Sequence, residues 1–259
     1  MSKETPATAV QRALAMLEGV GHQGGGMTNA EISRHLRIPK SSASYILRTL
    51  EHAGYLRRDR ETGKYRLGLK VLSLSHATLA GLDLRELALP ILRHLAGQTG
   101  LSAHLAILDH AEAVYIQKAE AAGFIKMDTW VGKRVDIHTT SVGKALVAFL
   151  PEEELEALLR GRHLPRRTPR SITSHARLHR EFERVRAQGY AVDEEENSLG
   201  VRCVAAPVFD SSGQVEASVG VSGATSELTR AGLPRIASLV REAARRISRE
   251  LGYRPRIRP

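Results

Sequence analysis

The chain has 259 residues, a net charge of +10, 42% hydrophobic residues and one cysteine, Cys203. That length allows two modest domains with a real core, and the composition excludes a disordered, collagen-like or disulfide-stapled chain. No apolar run approaches the length of a membrane span, and the first ten residues are polar with no signal-peptide pattern, so a cytoplasmic protein with no membrane partner is expected. Residues 1–70 carry 12 basic and six acidic side chains, so this smaller part holds +6 of the excess. Such concentration is the footprint of a protein that neutralises phosphates, although charge by itself mostly affects solubility.

Val10, Leu14 and Leu17 recur at helical spacing and give a first helix. Gly24-Gly25-Gly26-Met27 reads as a flexible turn after it. Thr28-Asn29-Ala30-Glu31 has the form of a capping box, in which the hydroxyl and the carboxylate satisfy each other's backbone amides, and Ile32 and Leu36 follow on one face. Arg37-Ile38-Pro39 ends that helix, because a residue before proline is pushed out of the helical region, and Pro39 suits the start of the next. There Ala43, Ile46, Leu47 and Leu50 point inward, while Ser41, Ser42, Ser44, Tyr45 and Arg48 point outward. Gly54 caps the end. Tyr55-Leu56-Arg57-Arg58 and Lys64-Tyr65-Arg66-Leu67, joined around Thr62-Gly63, alternate like a hairpin.

Two short helices, a tight turn and a basic hairpin describe a winged helix-turn-helix, whose second helix enters the major groove. The same outline also serves protein-binding modules. The outward face here carries hydroxyl, phenol and guanidinium groups without a carboxylate between Pro39 and Leu50, which favours phosphates and base edges. The candidate DNA contacts are Thr28, Lys40, Ser41, Ser42, Ser44, Tyr45 and Arg48, with Arg57, Arg58 and Lys64 on the wing.

Leu69 to Ala80 reads as a linker helix. Leu84, Leu87, Ala88, Ile91 and Leu95 form the next apolar face behind the capping pattern at Asp83, with Pro90 interrupting the run. Leu101–Asp109 and Ala113–Ala119 read as paired strands, and Phe124–Thr129 as a third. Helices are expected over Ser141–Leu150, from Pro151 onward, over Ser171–Gln188 and over Leu233–Leu251. Val201–Phe209 and Val215–Val221 form a hairpin around Asp210-Ser211-Ser212-Gly213. Helices flanking hairpin strands indicate an α+β domain with an antiparallel sheet that can hold a small-molecule pocket. The boundaries are 1–68 for the winged unit, 69–82 for the linker and 83–259 for the second domain.

Several of these segments carry a family likeness. Pro39-Lys40-Ser41-Ser42 and Tyr65-Arg66-Leu67-Gly68, then Thr140-Ser141-Val142-Gly143-Lys144-Ala145-Leu146, resemble the IclR family of bacterial transcription regulators. So do Gly189-Tyr190-Ala191-Val192-Asp193-Glu194-Glu195-Glu196, Gly200 to Pro207, and Val219-Gly220-Val221-Ser222-Gly223. The resemblance runs from about residue 8 to 251. It implies a winged helix-turn-helix, a linker helix and a GAF-like effector-binding domain. It also implies homodimers or dimers of dimers on double-stranded operator DNA and a small, anionic organic acid as effector. Carried over by motif, the pocket positions are Ser141, Val142, Asp193, Cys203 and Ser222. Members that bind small oxo-acids use backbone groups at the Ser141-Val142 pair, and this chain has Ser-Val where a smaller pair is known.

From the residues themselves, Ser141-Val142-Gly143 precedes an apolar helix, so its amides can face an anion, while Ser141 serves equally well as a plain N-cap. Asp193 alone reads as a turn residue and Cys203 alone as a small buried hydrophobe. Trp130, Met127, Phe124, Val135 and Ile137 either line the site or belong to core and dimer contacts. His104 and His138 tempt a metal reading, but no C-x-x-C or H-E-x-x-H spacing occurs, so no metal or cofactor is expected. Nine arginines between Arg160 and Arg186 read as a solvated, partly ion-paired face. The expected function is a ligand-responsive DNA-binding transcriptional regulator, repressor or activator, and not an enzyme. The alternative is a hydrolase using Cys203 as nucleophile, against which its place in an apolar strand argues.

Overall fold

The computed structural model describes residues 6–74, 83–120 and 128–254, which fall in two units, Met1–Gly81 and Leu82–Pro259. The first contains α1 (Pro6–His22), α2 (Asn29–His35), α3 (Lys40–His52) and the antiparallel pair β1 (Leu56–Arg58) and β2 (Tyr65–Leu67). The capping box at Thr28 forms as expected: its hydroxyl accepts from the Glu31 amide, and the Glu31 carboxylate accepts from the Thr28 amide at 2.7 Å. Helix α3 ends in a Schellman motif. The Tyr55 amide donates to the Leu50 carbonyl, the Gly54 amide donates to the Glu51 carbonyl, and Gly54 takes the left-handed conformation that glycine adopts without strain. Ala43, Ile46, Leu47 and Leu50 face the core with Met16, Val20, Ile32, Leu56 and Tyr65.

The first helix forms as Val10, Leu14 and Leu17 imply, although Val10 and Leu14 are mostly exposed and α1 turns Met16 and Val20 inward. Both pairs have helical spacing, and only the position of α2 and α3 decides which face is covered. Met27 is no free loop residue: it is buried and exchanges two backbone hydrogen bonds with Tyr65, at 3.0 and 2.7 Å. This single-residue bridge ties the turn to the wing, and a single residue leaves no alternation for a sequence to display. Residues 70–74 are helical. The rest of the expected linker helix lies outside the described residues.

The second unit is a six-stranded antiparallel sheet in the order β5-β4-β3-β8-β7-β6 with helices on both faces. Its strands are β3 (Ser102–Asp109), β4 (Glu112–Ala119), β5 (Arg134–Asp136), β6 (Ala191–Glu194), β7 (Val201–Phe209) and β8 (Val215–Ala224). Helices α4 (Asp83–Thr99) and α8 (Leu233–Glu250) cover one face through Leu84, Ala88, Leu92, Leu95, Val240 and Ile247. Helix α4 continues through Pro90. Helices α5 (Ser141–Val147), α6 (Glu152–Leu159) and α7 (His175–Gln188) contribute Val142, Leu146, Leu155, Phe182 and Val185 to the core on the other face.

The strand that follows β4 among the described residues is Arg134–Asp136, paired with β4, whereas the sequence suggests Phe124–Thr129. Of the expected segment, 124–127 lies outside the described residues, while Asp128 and Thr129 are not in a strand. A three-residue polar edge strand has no apolar run to announce it. Helix α7 begins at His175 rather than Ser171, because the Ser171 hydroxyl is used elsewhere. It accepts from the Arg167 and Thr168 amides and donates to the Glu196 carbonyl. Helix α5 ends at Val147, three residues earlier than its apolar run suggests.

Candidate functional site

On the winged unit, Lys40, Ser41, Tyr45, Arg48, Arg57 and Arg58 are exposed, with Ser42, Ser44 and Lys64 half-buried beside them. Tyr45 keeps 70% of its surface exposed, although it is aromatic, on the face opposite the α3 core stripe. The Thr28 hydroxyl is committed to its cap. The Asn29 side chain donates to the Lys40 carbonyl and so joins the start of α3 to α2. On the wing, Asp59 closes the hairpin by accepting from the Glu61 and Thr62 amides, and the Arg58 guanidinium lies 5.8 Å over the Tyr65 ring. The basic residues are thus carried on a rigid turn, with their charges turned to solvent.

In the second unit the sheet register assembles residues far apart in sequence. Asp193 pairs with Cys203, Cys203 with Ser222, and Ser222 with Ser102, forming one row across β6, β7, β8 and β3. Directly opposed residues project from the same face. The next row on that face is Ala191, Ala205, Gly220, His104 and Lys118. A Cβ at Gly220 would lie 2.7 Å from the Val204 carbonyl oxygen, so this position takes no side chain. Helix α5 crosses this face, fixed by the Ser218 hydroxyl donating to the Val142 carbonyl at 3.0 Å. The middle of the face therefore carries only short side chains, while Asp193 stands at one end and His104, Lys118 and Tyr115 at the other.

Ser141 is not the N-cap. Thr140 is, its hydroxyl accepting from the Gly143 amide and donating to the Asp136 carbonyl. Ser141, Val142 and Gly143 form the first turn of α5 itself, all buried. Gly143 is required there, since a Cβ would lie 2.5 Å from the Ile137 Cα.

Asp193 is the turn residue that its sequence context allowed. One carboxylate oxygen accepts from the Glu196 and Asn197 amides at 2.7 and 3.3 Å, closing a turn, and the side chain also bonds the Cys203 thiol. Burial pushes its pKa up to about 7 against the pull of Lys144. Burial likewise pushes the Cys203 thiol well up, with Asp193 adding to it. Among the described residues the thiol's hydrogen-bonding partners are Ser222 and Asp193, whereas the nucleophilic alternative calls for a histidine base. Tyr115 is also raised by burial and then by Cys203 and Asp193, which places its phenol within their electrostatic reach.

A stability prediction follows from Asp193. Its carboxyl holds a proton in the folded state between pH 4 and 7, where the unfolded chain releases it. Stability from this group is therefore complete below pH 4 and is lost as pH rises through 7. Chemical denaturation at pH 5 and 8 should show a smaller pH dependence for Asp193→Asn than for the parent chain. An unchanged difference would mean that Asp193 is not held neutral.

Lys144 is fully buried, which the sequence reading missed. Its ammonium donates to Glu196 at 2.6 Å, to the Val192 carbonyl at 2.5 Å and to Glu181 at 3.4 Å. Arg184 makes a further close ion pair with Glu181. Beside this network, Arg202 forks onto Glu194 at 2.7 and 2.6 Å, and this pair, joined by Arg230, holds Glu194 down to about 2. The available signal was a lysine within the apolar run of α5.

The two units correspond to two family models: the IclR helix-turn-helix domain matches residues 9–60, and the bacterial transcriptional regulator IclR C-terminal domain matches residues 76–249. The chain belongs to the IclR family of bacterial transcriptional regulators. It is 38% identical over 245 residues to the HTH-type transcriptional regulator XynR of Escherichia coli K12, covering 95% of this chain and 97% of that protein. The crystal structure of the Thermotoga maritima IclR superimposes with a TM-score of 0.79 at 33% identity, covering 95% of this chain and all of that one. An IclR homologue from Microbacterium hydrocarbonoxydans, solved with 4-hydroxybenzoate, gives a TM-score of 0.79 at 26% identity over 94% and 98% of the two chains. The IclR chain described here is thus a DNA-binding transcription regulator of α+β architecture.

Other residues singled out in this IclR sequence lie elsewhere. Ile137 is core and Val135 is packed against it, while Trp130 is half-exposed beneath the Lys133 ammonium. Phe124 and Met127 lie outside the described residues. His138 bonds the Pro165 carbonyl and His104 the Thr129 hydroxyl. Among the described residues, the group with metal-ligand spacing is Glu152, Glu156 and His179 on the outer side of α6 and α7. Of the arginines between 160 and 186, Arg167, Arg170 and Arg184 pair with carboxylates, and Arg162 and Arg186 with backbone carbonyls. Among the described residues, no helix is long and apolar enough to cross a membrane.

Proposed function

We propose that residues 1–68 read operator DNA, residues 69–82 link the units as a helix, and residues 83–259 bind a small organic acid that changes the DNA affinity. Lys40, Ser41, Ser42, Ser44, Tyr45 and Arg48 face the major groove, and Arg57, Arg58 and Lys64 hold phosphates, while Thr28 fixes the start of α2. The chain acts in the cytoplasm as a homodimer or dimer of dimers on a palindromic site, because two-fold protein symmetry is mirrored in half-sites. The effector lies against Ser141, Val142, Asp193, Cys203 and Ser222. The observation that carries this reading is the row Asp193, Cys203, Ser222, Ser102, which lines up separate signature segments beside α5. The related structure solved with 4-hydroxybenzoate supports an acid as the ligand class. A protonated Asp193 can donate to a carboxylate or accept from a hydroxyl, which removes the conflict between its charge and an anion.

Linkage supplies the test. An effector that changes DNA affinity must have its own affinity changed by DNA by the same factor. Calorimetry with a panel of organic acids, 4-hydroxybenzoate among them, should find one whose affinity shifts when upstream promoter DNA is added and weakens in Asp193→Ala. The DNA affinity of the ligand-free variant should stay near that of the parent. An acid whose binding ignores both changes would show that this face is not the control site.

A further inference from the structure

His104 is almost wholly buried at 1% exposure, its Nε2 lies 2.8 Å from the Thr129 hydroxyl, and its Nδ1 has no hydrogen-bond partner. A buried polar atom without a partner costs free energy, so an unpaired one in a well-formed core calls for a reason. The other such atom among the described residues, Glu196 Oε2, belongs to a carboxylate already paired through Oε1 with Lys144. His104 is bonded through its other nitrogen to the neutral Thr129 hydroxyl rather than to a charge, and its unpaired Nδ1 still calls for a reason.

Its position supplies one. His104 stands opposite Gly220 and two residues from Ser102, so its ring shares the face of Cys203 and Ser222. Between the imidazole and Asp193 that face offers Gly220, Ala205 and Ala191, none of which reaches far from the sheet. The Tyr115 ring lies 5.0 Å from the imidazole, and its phenol is within electrostatic reach of Cys203 and Asp193. Burial next to the Lys118 ammonium keeps the imidazole neutral, with a pKa pushed down to about 3. A neutral ring has one N–H and one lone pair. If Nε2–H donates to Thr129, Nδ1 is an acceptor; if the Thr129 hydroxyl donates to Nε2, Nδ1–H is a donor. A hydroxyl group satisfies either tautomer, whereas a hydrocarbon satisfies neither.

We propose that His104 is a specificity-determining residue of the effector site, whose Nδ1 takes a hydroxyl of the ligand. The effector is then a hydroxy-substituted carboxylic acid, selected over the same acid without the hydroxyl. This rests on the pocket reading above and goes beyond it by naming the second functional group of the ligand and the residue that reads it.

Calorimetric titration of the full chain with matched probes tests it: 4-hydroxybenzoate against benzoate, glycerate against propionate, and gluconate against hexanoate. The parent chain should favour the hydroxy acid of at least one pair by about tenfold or more, because the parent acid leaves the buried nitrogen unpaired. His104→Asn, which keeps a donor and an acceptor near the Nδ1 position, should retain the preference. His104→Leu should bring the ratio near one. A ratio that survives His104→Leu, even with a lowered melting temperature, would mean that the histidine only packs, and the proposal fails. Should His104→Leu not fold, histidine labelled with 15N decides: the hydroxy acid must move the His104 Nδ1 resonance, and the parent acid must not. If both acids of each pair bind alike and still need Asp193, the pocket reading stands and this inference falls. If no acid binds, both fall.

Discussion

Replacing Lys144 by methionine is expected to destabilise the second unit by about 3–5 kcal/mol, the cost of removing one partner from a buried ion pair. The ammonium is fully buried and fills its donor capacity on Glu196, Glu181 and the Val192 carbonyl. Without it, Glu196 and Glu181 remain in the interior, Glu181 still paired with Arg184, and the raised pKa of Glu196 rises further. Methionine nearly preserves the volume, so the loss reports charge rather than a cavity. Urea denaturation followed by a probe in this unit should show an earlier midpoint with an unchanged slope. Adding Glu196→Gln should recover part of the loss. A single-variant cost below about 1 kcal/mol would mean that the acids are satisfied without the lysine.

Arg48→Ala and Arg58→Ala should impair DNA binding in different ways. Arg48 is exposed on α3, and its proposed role is to read a base edge with its guanidinium. Its loss should cost about 1–3 kcal/mol at one position of the site and relax the preference there. Arg58 lies on the wing over Tyr65, and its proposed partner is the DNA backbone. Its loss should weaken every sequence alike and lower the slope of log affinity against log salt by about one. Gel-shift titrations at several salt concentrations with promoter and scrambled DNA separate the two. Parent-like binding by both variants would reject this docking of the winged unit.

What was legible in the sequence was local. Thr28 and Glu31 are three residues apart, the α3 stripe repeats within one helix, and Gly189 ends α7 in the left-handed conformation expected of a helix-capping glycine. The hidden features depend on partners distant in the chain. Lys144 finds Glu181 and Glu196 across 37 and 52 residues, and Met27 finds Tyr65 through one backbone bridge. His104 stood out in the sequence only as a metal candidate, because nothing along β3 shows that its neighbour across the sheet is a glycine. The proposed pocket positions were reached through the signature segments. Their spacing alone left Asp193 a turn residue, and the turn is what its hydrogen bonds form.

On the proposed pocket reading, the turn at Asp193 limits how ligand preference can change. The Asp193 carboxylate closes the turn that carries Glu196, and Glu196 holds Lys144 on α5. A substitution at Asp193 therefore perturbs this internal architecture together with the ligand contact proposed for it. Ser102, Ser222 and His104 share the same face without anchoring a turn of their own. If this face holds the effector as proposed, new ligand preferences are more readily reached at these three positions, and diversification should proceed around Asp193 rather than through it.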